Sequence, residues 1–243
     1  MPRQPIQAVI CDAGGVLLFP NFDWLIPRFA EHGLEGLTRQ GLHLAYYRTI
    51  CALDLDTEQS KQGAAFVDVE TRRWFFSRLL QGAGVEPQQA RGPALAVAEL
   101  AAAELPRESD LYHWTMPGLG QKLQALLDAG FLLGSASNND DALGAQLTSV
   151  GLVQLFGTLK DSGAEGVSKP DPELLWRAAR DLGAPAEACL YVGDVERVDG
   201  AAARAAGMSF ALLDPLKQAR ANDVLIIGDL LELLEHFVPH FPR

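Results

Sequence analysis

Residues 6–18 read IQAVICDAGGVLL, from Ile6 to Leu18. The run Ile6 to Cys11 is apolar, too short for a helix, and stops at Asp12-Ala13-Gly14-Gly15. A short apolar run closed by glycines reads as a buried strand that ends in a turn. Further runs of this kind are Phe131 to Ala136, Cys189 to Val192, Met208 to Leu213 and Val224 to Ile227, with a weaker one at Thr158 to Lys160. Helix-period segments lie between them. Leu119, Leu123, Leu126 and Leu127 share a face, with Gly130 as a stop. Leu174, Leu175, Ala178, Ala179 and Leu182 share another, with Asp171 as N-cap, Pro172 at the first position and Gly183 just past the end. Ala201 to Ala206 is a third. Strand and helix alternating from residue 117 onward predict an α/β fold, a doubly wound parallel sheet covered by helices on both faces.

Residues 18–108 interrupt this series with helical patterning and almost no strand signal, at Trp24 to His32, Leu42 to Leu53, Ala64 to Leu80 and Gln88 to Leu105. The organisation expected is therefore an α/β core of residues 1–17 and 109–243 with a helical insertion of 18–108. An insertion after the first strand leaves from the sheet edge where open α/β folds bind ligands.

With 20 Lys and Arg against 31 Asp and Glu, the net charge is −11. Such a chain is a poor binder of nucleic acid or anionic membrane, so attraction for an anionic ligand has to be local. Cys11, Cys51 and Cys189 are far apart and form no CxxC pair, as expected of thiols in a reducing compartment. Met1-Pro2-Arg3-Gln4-Pro5 leads into only a short apolar run, so no signal peptide is expected. No apolar stretch reaches the roughly 18 residues of a membrane span. A cytoplasmic protein is the expectation. The histidines His32, His43, His113, His236 and His240 have no metal-binding spacing, and neither a P-loop nor a complete dinucleotide fingerprint is present.

The informative polar residues stand where buried strands end: Asp12, Ser137-Asn138, and Gly193-Asp194 with Asp199 following. Lys169-Pro170-Asp171-Pro172 precedes a core helix. Two carboxylates, a hydroxyl, an amide and a lysine meeting at one crevice suit phosphoryl chemistry. Paired carboxylates can hold Mg²⁺, a carboxylate can serve as covalent nucleophile, and lysine can neutralise phosphoryl oxygens. Taken singly, each feature has a plainer reading: an Asx turn at Asp12, a helix N-cap at Ser137, a surface lysine at 169, a helix-start carboxylate at Asp199.

Together and in this order, Ile10 to Leu17, Ser137-Asn138, Ser168 to Pro172 and Tyr191 to Asp194 with Asp199 resemble the motifs of the haloacid dehalogenase-like (HAD) hydrolase superfamily. The resemblance implies a Rossmannoid core, with residues 18–108 as an inserted helical cap that sets substrate specificity. It implies Asp12 as nucleophile forming an aspartyl-phosphate, with Ser137 and Asn138 positioning the phosphoryl group. Lys169 would steady the nucleophile and the phosphoryl charge. Asp12, the Gly14 carbonyl and Asp194 would hold Mg²⁺, and Asp199 would act from behind them or pair with Lys169. The implied partner is a small phosphorylated metabolite.

One departure stands out. Family phosphatases usually carry a second Asp two residues after the nucleophile, and here that position is Gly14. The resemblance thus keeps three outcomes open: a phosphatase, a phosphonatase-like C–P hydrolase with Lys61 as Schiff-base lysine, or a weakly catalytic binding or regulatory protein. Lys61 is the only lysine between Asp12 and Lys122, and its plainer reading is a solvated helix residue. A dehalogenase is not expected, because that branch needs no metal and its fourth motif differs from Gly193-Asp194. Phe19, Phe22 and Trp24 are candidate pocket residues, and Trp74, Phe75 and Phe76 candidate cap core.

Overall fold

The computed structural model describes residues 5–55, 68–219 and 224–238. Its strands, in chain order, are β1 (Ala8–Cys11), β2 (Phe19–Pro20), β3 (Tyr112–Trp114), β4 (Leu132–Ser137), β5 (Thr158–Asp161), β6 (Cys189–Gly193), β7 (Ser209–Leu213) and β8 (Leu225–Ile227). Six of them form one parallel sheet in the order β5-β4-β1-β6-β7-β8. All residues of β1 and β6 are buried, which is why they read as continuous apolar runs. The residues fall into two units, one up to Leu18 and from Thr115 onward, the other Phe19–Trp114.

In the first unit, β1 lies between β4 and β6, with Cys11 level with Ser135 on one side and Val192 on the other. One residue further, Asp12 is therefore level with Ala136 and Gly193. The chain leaves β1 towards β4 and leaves β6 towards β7, so β1 and β6 flank the point where the winding reverses. Ligand sites of open α/β sheets lie at this point, beyond the strand C-termini.

The helices of this unit are explained by their apolar faces and their stops. Helix α6 (Leu119–Asp128) buries Leu119, Leu123 and Leu126, and Gly130 follows its end with φ 94°. After α7 (Leu143–Ser149) and α8 (Ser162–Glu165), helix α9 (Glu173–Leu182) buries Leu174, Leu175, Ala178 and Ala179, and Gly183 closes it with a left-handed φ of 71°. Asp171 supplies the capping acceptor, taking the Glu173 N–H at 2.9 Å, and the helix begins one residue later than the sequence suggests. Alanines of α9 and of α10 (Ala201–Ala206) pack with Ala8, Ile10 and Tyr191, so small residues let both helices approach the sheet closely.

The second unit holds α1 (Phe22–Glu31), α2 (Arg39–Leu55), α3 (Val69–Gly82), α4 (Pro87–Glu104) and α5 (Glu108–Leu111). Asn21 and Asp68 cap α1 and α3 by accepting the N–H groups of Trp24 and Thr71. Phe75, Phe76, Leu79 and Leu80 of α3 are buried, as are Ala90, Ala94, Val97, Ala98 and Ala101 of α4. The two-stranded antiparallel ribbon of β2 and β3 departs from the all-helical expectation. It also moves the second boundary, expected after residue 108, to Trp114, because Tyr112–Trp114 pair with Phe19–Pro20. The first boundary falls one residue later than expected, because Leu18 bridges back to Gly14. No described helix is long and apolar enough to cross a membrane.

Candidate active site

Asp12 continues β1 by donating its N–H to the Val192 carbonyl at 2.8 Å. Its Oδ1 accepts the Ala13 N–H at 2.7 Å and the Lys169 ammonium at 2.9 Å. The chain then doubles back, with the Leu17 and Leu18 N–H groups both donating to Ala13 O, at 2.9 and 2.8 Å. Gly15 holds the left-handed φ of this turn, 72°, and Gly14 does not.

At the end of β4, Ser137 is buried. The loop after it is tied to the end of β5. Asp161 Oδ1 accepts the N–H groups of Asp141 at 3.0 Å and Gly163 at 2.9 Å, and Oδ2 accepts that of Leu143 at 2.9 Å. Ser162 Oγ accepts the Asn139 N–H at 2.9 Å and donates to Asn139 O at 3.0 Å. Asn138, expected at the phosphoryl group, instead directs its amide to the backbone of Lys169. Its Oδ1 accepts the Lys169 N–H at 2.8 Å and its Nδ2 donates to Lys169 O at 3.0 Å.

The Lys169 ammonium is buried and donates to Asp199 Oδ1 and Tyr191 Oη, each at 2.7 Å, besides Asp12. Burial works against its charge, but Asp12 and Asp199 outweigh it and hold the pKa above the ordinary lysine value. Tyr191 donates in turn to the Ala136 carbonyl at 2.7 Å. Its phenol is pushed well above its usual value, by burial first and then by the surrounding carboxylates, so it stays a neutral hydroxyl.

Asp194 follows β6 directly and is buried. Asp199 returns to the site through a π-helical turn, Glu196–Gly200, and its Oδ2 accepts the Val195 N–H at 3.0 Å. Burial, with Asp12 adding to it and Lys169 opposing, raises the Asp199 pKa to about 6. Burial, and then Asp12, pushes the neighbouring Cys11 thiol up to about 12 and leaves it inert. Oxygens of Asp12, Asp194 and Asp199 lie within 4.8 Å of one another. Hard oxygen donors in this number fit a divalent cation such as Mg²⁺. Three carboxylates beside one ammonium leave two negative charges uncompensated in a buried place, and a divalent ion balances them.

The structure thus brings Asp12, Ser137, Lys169, Asp194 and Asp199 to the sheet edge, with Gly14 two residues beyond Asp12 in the turn. Lys61 lies outside the described residues. Phe19 and Phe22 are buried among aromatic neighbours of the second unit, and the Trp24 indole donates to Glu104 at 3.0 Å. Phe75 and Phe76 are core, as expected, whereas Trp74 is half-buried. The sequence reading missed Tyr191 and Asp161. A tyrosine inside an otherwise aliphatic strand was the available signal for the first, since a buried phenol needs a partner.

Solved structures of similar fold include a 2-haloacid dehalogenase from Pseudomonas syringae pv. Tomato DC3000, 24% identical, TM-score 0.53, covering 95% of this chain and 97% of that one. The HAD phosphatase from Thermococcus onnurineus is 16% identical, with TM-score 0.56 and coverages of 96% and 98%. YfnB from Bacillus subtilis, described as a magnesium-bound putative HAD-hydrolase, is 18% identical, with TM-score 0.61 and coverages of 97% and 100%. At these identities the likeness establishes the fold. A search of curated proteins finds no match. The family model for haloacid dehalogenase-like hydrolases matches residues 6–207, a span that holds every site residue above. With that match over most of its length, the chain belongs to the haloacid dehalogenase-like hydrolase family.

Proposed function

We propose that this hydrolase is a Mg²⁺-dependent phosphatase that cleaves a small organic phosphate ester through an aspartyl-phosphate at Asp12. The observation that carries this reading is the buried trio Asp12, Asp194 and Asp199 around a single ammonium, Lys169. Asp12, Asp194 and the Gly14 carbonyl would hold the cation, and Asp199, bound to Lys169 and Val195 N–H, stands behind them. The bound cation supplies charge neutralisation for phosphoryl oxygens.

The Asp12 carboxylate, held through Oδ1 by Ala13 N–H and Lys169, attacks phosphorus with one of its oxygens. The O–P bond to Asp12 forms as the bond to the leaving alkoxide breaks. Water then attacks the acyl phosphate, releasing phosphate and restoring the carboxylate. Ser137 donates its hydroxyl to a phosphoryl oxygen. Lys169 holds the carboxylate fixed in direction. Gly14 has no side chain to protonate the alkoxide, so that proton comes from the substrate or from solvent. The buried Cys11 and Cys189, neither in a disulfide, fit a reducing, cytoplasmic setting.

The test is phosphate release from a panel of phosphorylated metabolites and p-nitrophenyl phosphate. Release should require Mg²⁺, fall about 10⁴-fold or more in Asp12→Asn, and be blocked by beryllium fluoride. Undiminished activity after chelation, retained turnover in Asp12→Asn, or halide release from a 2-haloacid without metal would overturn the proposal.

A further inference from the structure

Lys169 is gripped at both of its ends by residues tied to the end of β4. At the backbone, Asn138 Oδ1 accepts the Lys169 N–H at 2.8 Å and Nδ2 donates to its carbonyl at 3.0 Å. At the tip, Tyr191 Oη accepts from Nζ at 2.7 Å and donates to Ala136 O at 2.7 Å. Ala136 and Asn138 are the two neighbours of Ser137. The strand end that presents the Ser137 hydroxyl therefore also holds the lysine, through the residue before it and the residue after it.

An ammonium has three N–H donors. Here Asp12 Oδ1, Asp199 Oδ1 and Tyr191 Oη take all three. Three acceptors fix the direction of the group, and the flexible four-carbon stem has no freedom left to follow another partner. Tyr191 is fully buried, in β6, so its hydroxyl acts on the site only through Lys169 and Ala136. The Asn138 side chain is more open, but its amide is directed to the Lys169 backbone.

We propose that Tyr191 and Asn138 are positioning residues that hold Lys169 in register with Ser137 and Asp12. This rests on the phosphatase reading for its kinetic consequence, and on geometry alone for the clamp. Loss of the Tyr191 hydroxyl frees one ammonium donor and lets the lysine tilt from Asp12. Misplacement of a reacting carboxylate by about 1 Å costs about 10²-fold in rate. Loss of the Asn138 amide frees the lysine at its backbone, with the same consequence.

The experiment compares native protein, Tyr191→Phe and Asn138→Ala with p-nitrophenyl phosphate and Mg²⁺, and records the lysine ammonium signals by ¹H–¹⁵N NMR. A Lys169→Met sample assigns the Lys169 signal. In native protein that signal should be visible, because its hydrogens are held from exchange. In both variants kcat should fall about 10- to 100-fold with KM within about threefold, and the Lys169 signal should shift or vanish. Native kcat in the variants, a loss confined to KM, or an unmoved ammonium signal overturns the clamp. If the native protein releases no phosphate from any ester, the phosphatase reading fails, and the ammonium signal alone then decides the clamp. If Tyr191→Phe does not fold, Asn138→Ala, at a more open position, carries the test.

Discussion

The Asp199 carboxylate packs against the α-carbon of Gly193, so closely that a Cβ built on that glycine would lie 2.4 Å from the carboxyl carbon. Any larger residue at 193 has to displace Asp199, which is buried and bound to Lys169. The glycine before Asp194 is thus required by the next carboxylate but one in the site. Gly193→Ala is expected to lower stability by about 1–3 kcal/mol through overpacking. It should lower kcat by at least about 10²-fold through the displaced carboxylate. Urea unfolding and turnover of the same preparation check both. Native activity would show that Asp199 can move without consequence.

Asp161 ties down the loop that carries Asn138. Its two oxygens take three backbone N–H groups, and a Cβ on the adjoining Gly163 would lie 2.6 Å from Asp141 N. Asp161→Ala should cost about 2–4 kcal/mol, because three donors lose a charged acceptor in a partly buried place. Asp161→Asn should recover part of this, since its single carbonyl oxygen still accepts. Denaturant midpoints for the pair give the comparison, and equal midpoints would show that the loop holds itself.

The pH dependence of stability follows from Asp199. Its folded pKa, about 6, lies above the ordinary 3.8. The stability linked to this group is therefore fully present below 3.8 and is lost as pH rises through about 6. A divalent cation replaces the proton as counter-charge. Chelated protein should lose the thermal stability linked to Asp199 as pH rises from 3.8 to about 6, and the rise in Tm on adding Mg²⁺ should be larger at about pH 7 than at about pH 4. Glu165 and Asp181 are held below the carboxylate range, by Arg177 and Lys160 respectively, and lose their contribution only at lower pH. A Mg²⁺ effect equal at both pH values would show that the carboxylate trio is not where the cation binds.

Gly14 leaves the leaving group without a side-chain acid. A positioned acid is worth about 10²–10⁴-fold, most of it for poor leaving groups. Turnover should therefore rise steeply with leaving-group acidity, with aryl and acyl phosphates far ahead of alkyl ones. Gly14→Asp should flatten that dependence and raise alkyl phosphate turnover selectively. The backbone admits this change, since Gly15 and not Gly14 carries the left-handed φ. A shallow dependence in the native protein would mean that another acid already serves.

Much of the fold was legible in the sequence because parallel strands buried on both faces are written as apolar runs. Each sheet strand from Ala8–Cys11 to Leu225–Ile227 falls in or against such a run. The ribbon of Phe19–Pro20 with Tyr112–Trp114 was not legible, because two or three residues carry no period and their partners are far along the chain. The polar strand ends Asp12, Ser137 and Asp194 were legible for the opposite reason: a polar residue closing an apolar strand stands out. What Asn138 binds was not, since an exposed amide after a strand gives no sign that it reaches a lysine backbone 31 positions on.

The sequence by itself determined the sheet, its winding and the identity of the ionisable groups, because local hydrophobic pattern dictates burial and strand ends dictate where polar residues emerge. Tertiary structure decided how those groups share protons and charge. Lys169 meets Asp12, Tyr191 and Asp199 only when strands from distant parts of the chain lie side by side. Burial then removes the water that would otherwise screen three carboxylates from one ammonium. Composition cannot state that balance, because the energy of a charge depends on what surrounds it within a few ångströms.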